Sequence, residues 1–302
     1  MQESGSTGSL CRFGSLPAVV REECMKRIAT TLCALLINTA ALMPYTAHAD
    51  ALADIKARGT LVCGVVSGSP PFGYQDTETR QLVGYDVDFC KAIAQQLGVK
   101  PELKVVSIDA RIPELQQGRV DVLAAVLGYN RQRAEQISFS KAYFATGQMI
   151  AVKTQSTFKT RDDMSGKRIS AIKGTSAAPM MQRVLPSAQL IYFDDGPSAF
   201  MALVQNKVDG FLLAEPQMRR FINRLGNDAK TITVLTPPVG TEFWGLGVRK
   251  GEPALLGAVN AVLDKMEASG QTQTIFDTWL GDKSPLKMTR QFKTIDIPNP
   301  QE

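Results

Sequence analysis

The charged groups of this chain are lysines, arginines and carboxylates, with a single histidine besides, and the arginines are the best placed for binding chemistry. In residues 127–140, LGYNRQRAEQISFS, Arg131 and Arg133 follow directly on an apolar run at 120–126. A guanidinium just past a strand end can clasp a carboxylate with two parallel hydrogen bonds. Position alone leaves both arginines as candidates. Gly174, Thr175 and Ser176 form a GTS turn ahead of a helical stretch. Such a turn offers backbone N–H groups and hydroxyls to an anion, or serves as an ordinary capped turn. Glu215, Glu242 and Asp109 are expected near the cleft as the acids a dehydration would need, yet nothing in the sequence tunes any of them for acid–base work. The only histidine is His48. If it leaves with a leader, no histidine remains for a catalytic triad or an imidazole-held zinc. No catalytic residue, metal site or cofactor is expected.

The positions of these residues depend on what the chain is. Met25, Lys26 and Arg27 give a short basic region, residues 28–43 are mostly apolar, and Ala47, His48 and Ala49 form a small-x-small cleavage site. Residues 25–49 therefore read as a secretory signal peptide, too short and interrupted to span a membrane. Cleavage after Ala49 leaves 302 − 49 = 253 residues. Residues 1–24 match no known element. Cys11, Cys24 and Cys33 precede the cut, and Cys33 lacks the small residue before it that a lipid anchor needs. Cys63 and Cys90 remain, either as a disulfide in an exported chain or as two small core residues. The net charge of +5 is modest, and no basic run suggests a nucleic-acid face.

The elements are readable from periodicity. Residues 52–58 form an entry helix. Residues 61–66, LVCGVV, suit a parallel strand covered on both faces. The loop SGSPPFG, 67–73, follows at the strand's carboxyl end, where open α/β sheets bind ligands. Phe72 there either covers a ligand or packs in the core. Residues 83–97, VGYDVDFCKAIAQQL, form an amphipathic helix opened by Gly84, with Asp86 or Asp88 as its cap. Strands at 103–108 and 120–126 flank a helix at 112–115, which implies a parallel sheet with right-handed crossovers. Further strands are expected at 143–152, 167–173, 208–214 and 240–248. Helices are expected at 198–205, 255–266 and 273–280, and an extended strap after Gly281.

The string Gly84, Tyr85, Asp86, Val87, Asp88, Phe89, Ile93, Ala94 and Leu97 resembles the signature of the periplasmic solute-binding proteins of amino-acid ABC importers, family 3. Trp279 matches the tryptophan near that family's usual end, and the likeness covers nearly all of 52–281. The resemblance implies a two-lobed α/β fold of the type II periplasmic-binding class. The lobes would be discontinuous, with 50–145 and 241–302 in the first, 146–240 in the second, and crossovers near 145 and 243. It implies a monomer in the periplasm that binds a small carboxylate, a polar or acidic amino acid, and docks on the membrane permease of an ABC importer.

Among candidate contacts, the resemblance singles out Arg133, six residues before the Phe139–Ser140 pair, as the ligand-carboxylate arginine. Ser69, Gly128, Thr175 and Ser176 stand at family contact positions, and Phe72 in the loop after the first strand and Ile108 at the end of the second are further candidates. Three positions depart from the family pattern. Ser69 replaces a common aromatic, Gly128 a serine or threonine, and Ala214 the aspartate that takes the ligand's α-ammonium. Either Glu215 or Asp195 replaces that aspartate, or the ligand has no ammonium. Arg111, within ARIP, resembles the NRIP string of the acidic-amino-acid branch. It implies a reach to a second carboxylate and glutamate- or aspartate-like ligands first, unless it is a helix-surface residue. Two other readings share the fold: a cyclohexadienyl or arogenate dehydratase, and a soluble sensor component.

Overall fold

The computed structural model describes residues 50–298; residues 1–24 and the signal peptide expected at 25–49 lie outside the described residues. Helix α1 (Ala51–Arg58) starts on Asp50, whose carboxylate accepts the Leu52 N–H at 3.0 Å, and stops at Gly59 in the left-handed region. Strand β1 (Thr60–Val65) follows, then three short strands, β2 (Gly68–Ser69), β3 (Gly73–Gln75) and β4 (Leu82–Val83), in a small antiparallel sheet. Gly84 sits at φ +138°, and a Cβ there would lie 2.1 Å from the Phe72 carbonyl oxygen. Only glycine admits this approach, which seats helix α2 (Tyr85–Leu97) against the loop after β1.

Neither acid at the start of α2 caps it. Asp86 is buried and accepts from the Tyr143 hydroxyl and the Val126 N–H, each at 2.7 Å. Asp88 accepts the Trp279 indole N–H at 2.7 Å. The two carboxylates fasten the helix to the rest of the lobe instead.

Strand β5 (Lys100–Val105), helix α3 (Arg111–Gln116) and strand β6 (Val122–Leu123) complete the parallel part, with β1 hydrogen-bonded to both β5 and β6. The third strand is shorter than its apolar run because Val126 adopts φ +46°, which interrupts extended pairing. Helix α4 (Arg131–Gln136) leads into β7 (Ile137–Lys153), 17 residues long. The distal half contains β8 (Arg168–Ile172), α5 (Ala177–Val184), β9 (Gln189–Phe193), α6 (Gly196–Val204), β10 (Gly210–Ala214) and α7 (Glu215–Arg224). Strand β11 (Ile232–Arg249), 18 residues long, then returns beside β7 to α8 (Pro253–Ala268) and α9 (Gln271–Trp279).

The strand order is β5-β1-β6-β11-β7-β10-β8-β9. The two long antiparallel strands thus belong to both halves and join them in one ladder. Residues 145 and 243, the expected crossover points, face each other as a registered pair in it. Breaks in the β7–β11 register fall at Leu235/Gly240 and from Trp244 to Gly247. Buried apolar residues cluster on both faces of each half: around α2, α8 and α9 and beneath α3 in the first lobe, and around α5 and α6 in the second. This placement follows from sheets covered by helices on both sides.

Cys63 on β1 and Cys90 on α2 are joined by a disulfide. The segment after α9 runs as a strap. Phe292 packs on Phe144 and Phe276, and the Glu267 carboxylate takes Arg290 and both donors of Thr294. Burial alone would raise the Glu267 pKa, but the Arg290 and Thr294 hydrogen bonds outweigh it and hold it at about 2. A carboxyl depressed in the fold contributes stability above its unfolded pKa of about 4.3 and loses it as pH falls toward the folded value. Glu267→Ala is expected to cost about 1–3 kcal/mol at neutral pH. The difference between variant and parent in urea titrations should shrink between about pH 4.3 and 2. A difference unchanged over that range would remove Glu267 as the strap's tether.

Candidate functional site

The loop after β1, the ends of β5 and β6, the start of α5 and the midpoints of β7 and β11 converge on one cleft. Its inner part is a cavity of about 30 Å³ lined by Ser69, Ile108, Gln148, Ser176, Glu242 and Trp244, with Val126, Thr175 and Ala214 among its other walls. It shares Ser69, Ile108, Ile172, Leu213 and Gln217 with a wider outer chamber of about 250 Å³. The inner volume holds little more than a water molecule. Admission of a larger ligand requires the lobes to part.

Two arginines lie beyond the inner cavity's wall, neither among its lining residues. Arg133 donates from Nη1 to the Gly128 carbonyl at 2.6 Å and from Nη2 to the Gly174 carbonyl at 2.8 Å. Asn130 caps its helix by accepting the Arg133 N–H at 2.8 Å, so the guanidinium leaves from a fixed first turn. Burial draws the Arg133 pKa below its ordinary value, and Glu242 opposes the shift.

Arg111 is neither on the helix surface nor open to a second carboxylate. It is 2% exposed, and donates to the carbonyls of Ile108, Ala125, Val126 and Gly174 at 2.7–2.9 Å. With that many oxygens already around it, the fork has no free edge for a ligand. Burial, and then repulsion from Arg133, draw its pKa down to about 9. Its role is architectural. It holds Val126 in the left-handed conformation, whose N–H goes to Asp86, and meets Arg133 on the same Gly174 oxygen of the far lobe.

Other expected contacts divide. Ser69, Ile108, Thr175 and Ser176 line the inner cavity, although the Thr175 hydroxyl already donates to Ile172 at 2.8 Å. Phe72 is in the core, fully buried, with its ring against Tyr85, Phe144 and Trp244. The loop turns it inward, and Trp244 stands between it and the cavity. Glu215 is outside the cleft. Ala214 faces the cavity, and in an extended chain the next residue points the other way. Glu215 pairs with Arg219 at 2.7 Å beside a groove on the outer side of the long strands. Asp195 lies on the outer chamber's wall and caps α6 by accepting the Ser198 N–H at 2.7 Å.

Gly128 explains itself through Glu242. A Cβ at 128 would fall 1.6 Å from Glu242 Oε1, so the glutamate occupies the space a side chain there would need. Glu242 is 4% exposed, and burial raises its pKa against the pull of Trp244, Arg133, Gln148 and Arg111. Its Oε2 accepts from Gln148 Nε2 at 2.5 Å and from Trp244 Nε1 at 2.9 Å. Gln148 and Trp244 were not expected here, and Glu242 was expected only as an acid near the cleft and not as a ligand contact. The available signal was a polar residue placed mid-strand in each of two largely apolar runs. Among the described residues, no group of three or more His, Cys, Asp or Glu side chains is placed to hold a metal ion.

Two α/β lobes joined by paired strands around a closable cleft define a solute-binding protein of the type II periplasmic-binding class. The chain belongs to the bacterial extracellular solute-binding proteins, family 3, which it matches over residues 61–282. It is 28% identical over 235 residues to the ABC transporter glutamine-binding protein of Bacillus subtilis, covering 76% of this chain and 85% of that one. An arginine-binding protein from T. maritima superposes with a TM-score of 0.69 at 30% identity, over 76% of this chain and 98% of the other. An ancestral amino acid-binding protein, described as a precursor of cyclohexadienyl dehydratase, also gives 0.69 at 30% identity, over 77% and 100%.

Proposed function

We propose that this protein is a monomeric periplasmic receptor that captures a polar amino acid and delivers it to the membrane permease of an ABC importer. The observation that supports it most is Arg133, whose guanidinium stands where the two lobes meet. The relatives support the class, being named for amino acids they bind. The ligand's carboxylate replaces carbonyls at the Arg133 fork when the lobes close on it, and its side chain extends into the outer chamber. That chamber has Asp194 and Asp195 in its wall and no lysine or arginine among its lining residues. An uncharged polar or basic side chain suits it better than the acidic one Arg111 had suggested.

One observation favours a second reading. A buried glutamate with a raised pKa in the cleft is what acid-assisted dehydration needs, and one structural neighbour is a precursor of such an enzyme. Thermal shifts against the twenty amino acids, followed by calorimetry, test the receptor reading. At least one amino acid should raise the melting temperature and come back chemically unchanged. Incubation with arogenate or prephenate should give no product. Turnover, or silence across the amino-acid panel, would overturn the receptor reading.

A further inference from the structure

Two acceptors in the inner cavity are buried and take no hydrogen bond: Oε1 of Glu242 and Oε1 of Gln148. Burying such atoms unpaired is costly, the more so for a carboxylate oxygen. They are neighbours by construction. Glu242 on β11 registers opposite Thr146 on β7, so Gln148, two residues along β7, is its diagonal neighbour on the same face. Nearby donors do not relieve them. The Gln148 amide N–H and the Trp244 indole N–H both go to the other oxygen of Glu242. The Gln148 contact also fixes the amide's orientation, leaving its oxygen as the outward group. The Arg111 and Arg133 guanidinium groups donate to backbone carbonyls.

We infer that Glu242 and Gln148, on the paired long strands, hold the α-ammonium of the ligand. This deepens the receptor reading and rests on it: Arg133 takes the carboxylate, and the group one carbon away must meet what stands beside Arg133. An ammonium has three N–H donors and a positive charge. It satisfies both orphaned oxygens at once, and its charge answers that of Glu242. The site is then balanced for a zwitterion. Arg133 faces the carboxylate and Glu242 faces the ammonium. A desamino acid would bring no donor to either oxygen. A hydroxyl in place of the amine would satisfy only one.

The test uses the purified protein and its tightest ligand from the twenty amino acids, paired with the desamino acid of the same side chain. Calorimetry on wild type, Glu242→Gln and Gln148→Leu, with a melting curve for each ligand-free protein, gives the result. Wild type should bind the amino acid at least thirtyfold more tightly than its desamino partner. Glu242→Gln should lose thirtyfold or more toward the amino acid and little toward the desamino acid. Gln148→Leu should show a smaller loss of the same kind. The desamino partner is the reading that a merely structural role would not spare. If wild type binds both members of the pair equally, or Glu242→Gln loses both alike, the assignment is overturned while the receptor reading stands. If no amino acid binds wild type, the receptor reading fails and the assignment falls with it.

Discussion

Arg133→Ala is expected to weaken ligand binding by about 2–5 kcal/mol, or roughly thirty- to several-thousand-fold. A ligand carboxylate enclosed by two closing lobes must be paired, because a bare charge taken out of water is expensive. The guanidinium supplies two donors at a fixed spacing, which lysine does not. Arg133→Lys should therefore recover only part of the loss. Arg131, exposed two residues earlier on the same helix, provides the comparison and should change affinity much less. The ligand-free Arg133→Ala protein should stay folded, since Asn130 caps helix α4 through the backbone N–H of residue 133 and not through the guanidinium. Titration of the tightest amino acid into all four proteins, with melting curves, checks this. Normal binding by Arg133→Ala would remove the residue from the site. A collapse in its melting temperature without ligand would make it a structural residue.

The second large effect concerns Cys63 and Cys90. The bridge spans a sequence separation of 27 residues. Closing a loop of that size in the unfolded chain corresponds to about 3.5 kcal/mol in the chain-entropy treatment. Both sulfurs lie in the core beneath α2, among Phe72, Tyr85 and Phe89. The paired substitution Cys63→Ser and Cys90→Ser also buries two hydroxyls where no partner is offered, so the loss should be at least as large. Urea titration of the double variant should show a midpoint far below wild type. Wild type in reductant should fall by the loop-entropy part alone. A change under about 1 kcal/mol would mean that the unfolded chain already keeps these segments together.

What sequence could reach was set by how local each signal was. Helix α2 and strand β1 were legible because their periodicity is carried by their own residues. Two bounds were not. The third strand stops early because Val126 is held at positive φ by Asp86 and Arg111, residues 40 and 15 positions away. The placement of Phe72 depends on Phe144 and Trp244, which reach it from the long strands. Within the site, the family string pointed to Arg133, and the structure sets that side chain at the junction of the lobes. Arg111 looked like a ligand contact because sequence shows a charge but not the four carbonyls around it. Glu215 was one residue out of phase: a strand's alternation sends it to the opposite side from Ala214. Glu242 and Gln148 were hardest. Each is a lone polar residue, and their meeting exists only in the β7–β11 register.

That register has a mechanical consequence. Two antiparallel strands lying side by side behave as a leaf spring rather than as a pair of free joints. Their ladder resists sliding and splaying, so compliance is confined to the interruptions at Leu235/Gly240 and from Trp244 to Gly247. Gly174 on one side and the Arg133 guanidinium on the other meet across the cleft at 2.8 Å. Gln148 and Glu242 ride on the spring itself. Their mutual spacing is set by the ladder's register and not by either lobe, so the proposed ammonium site is assembled independently of closure.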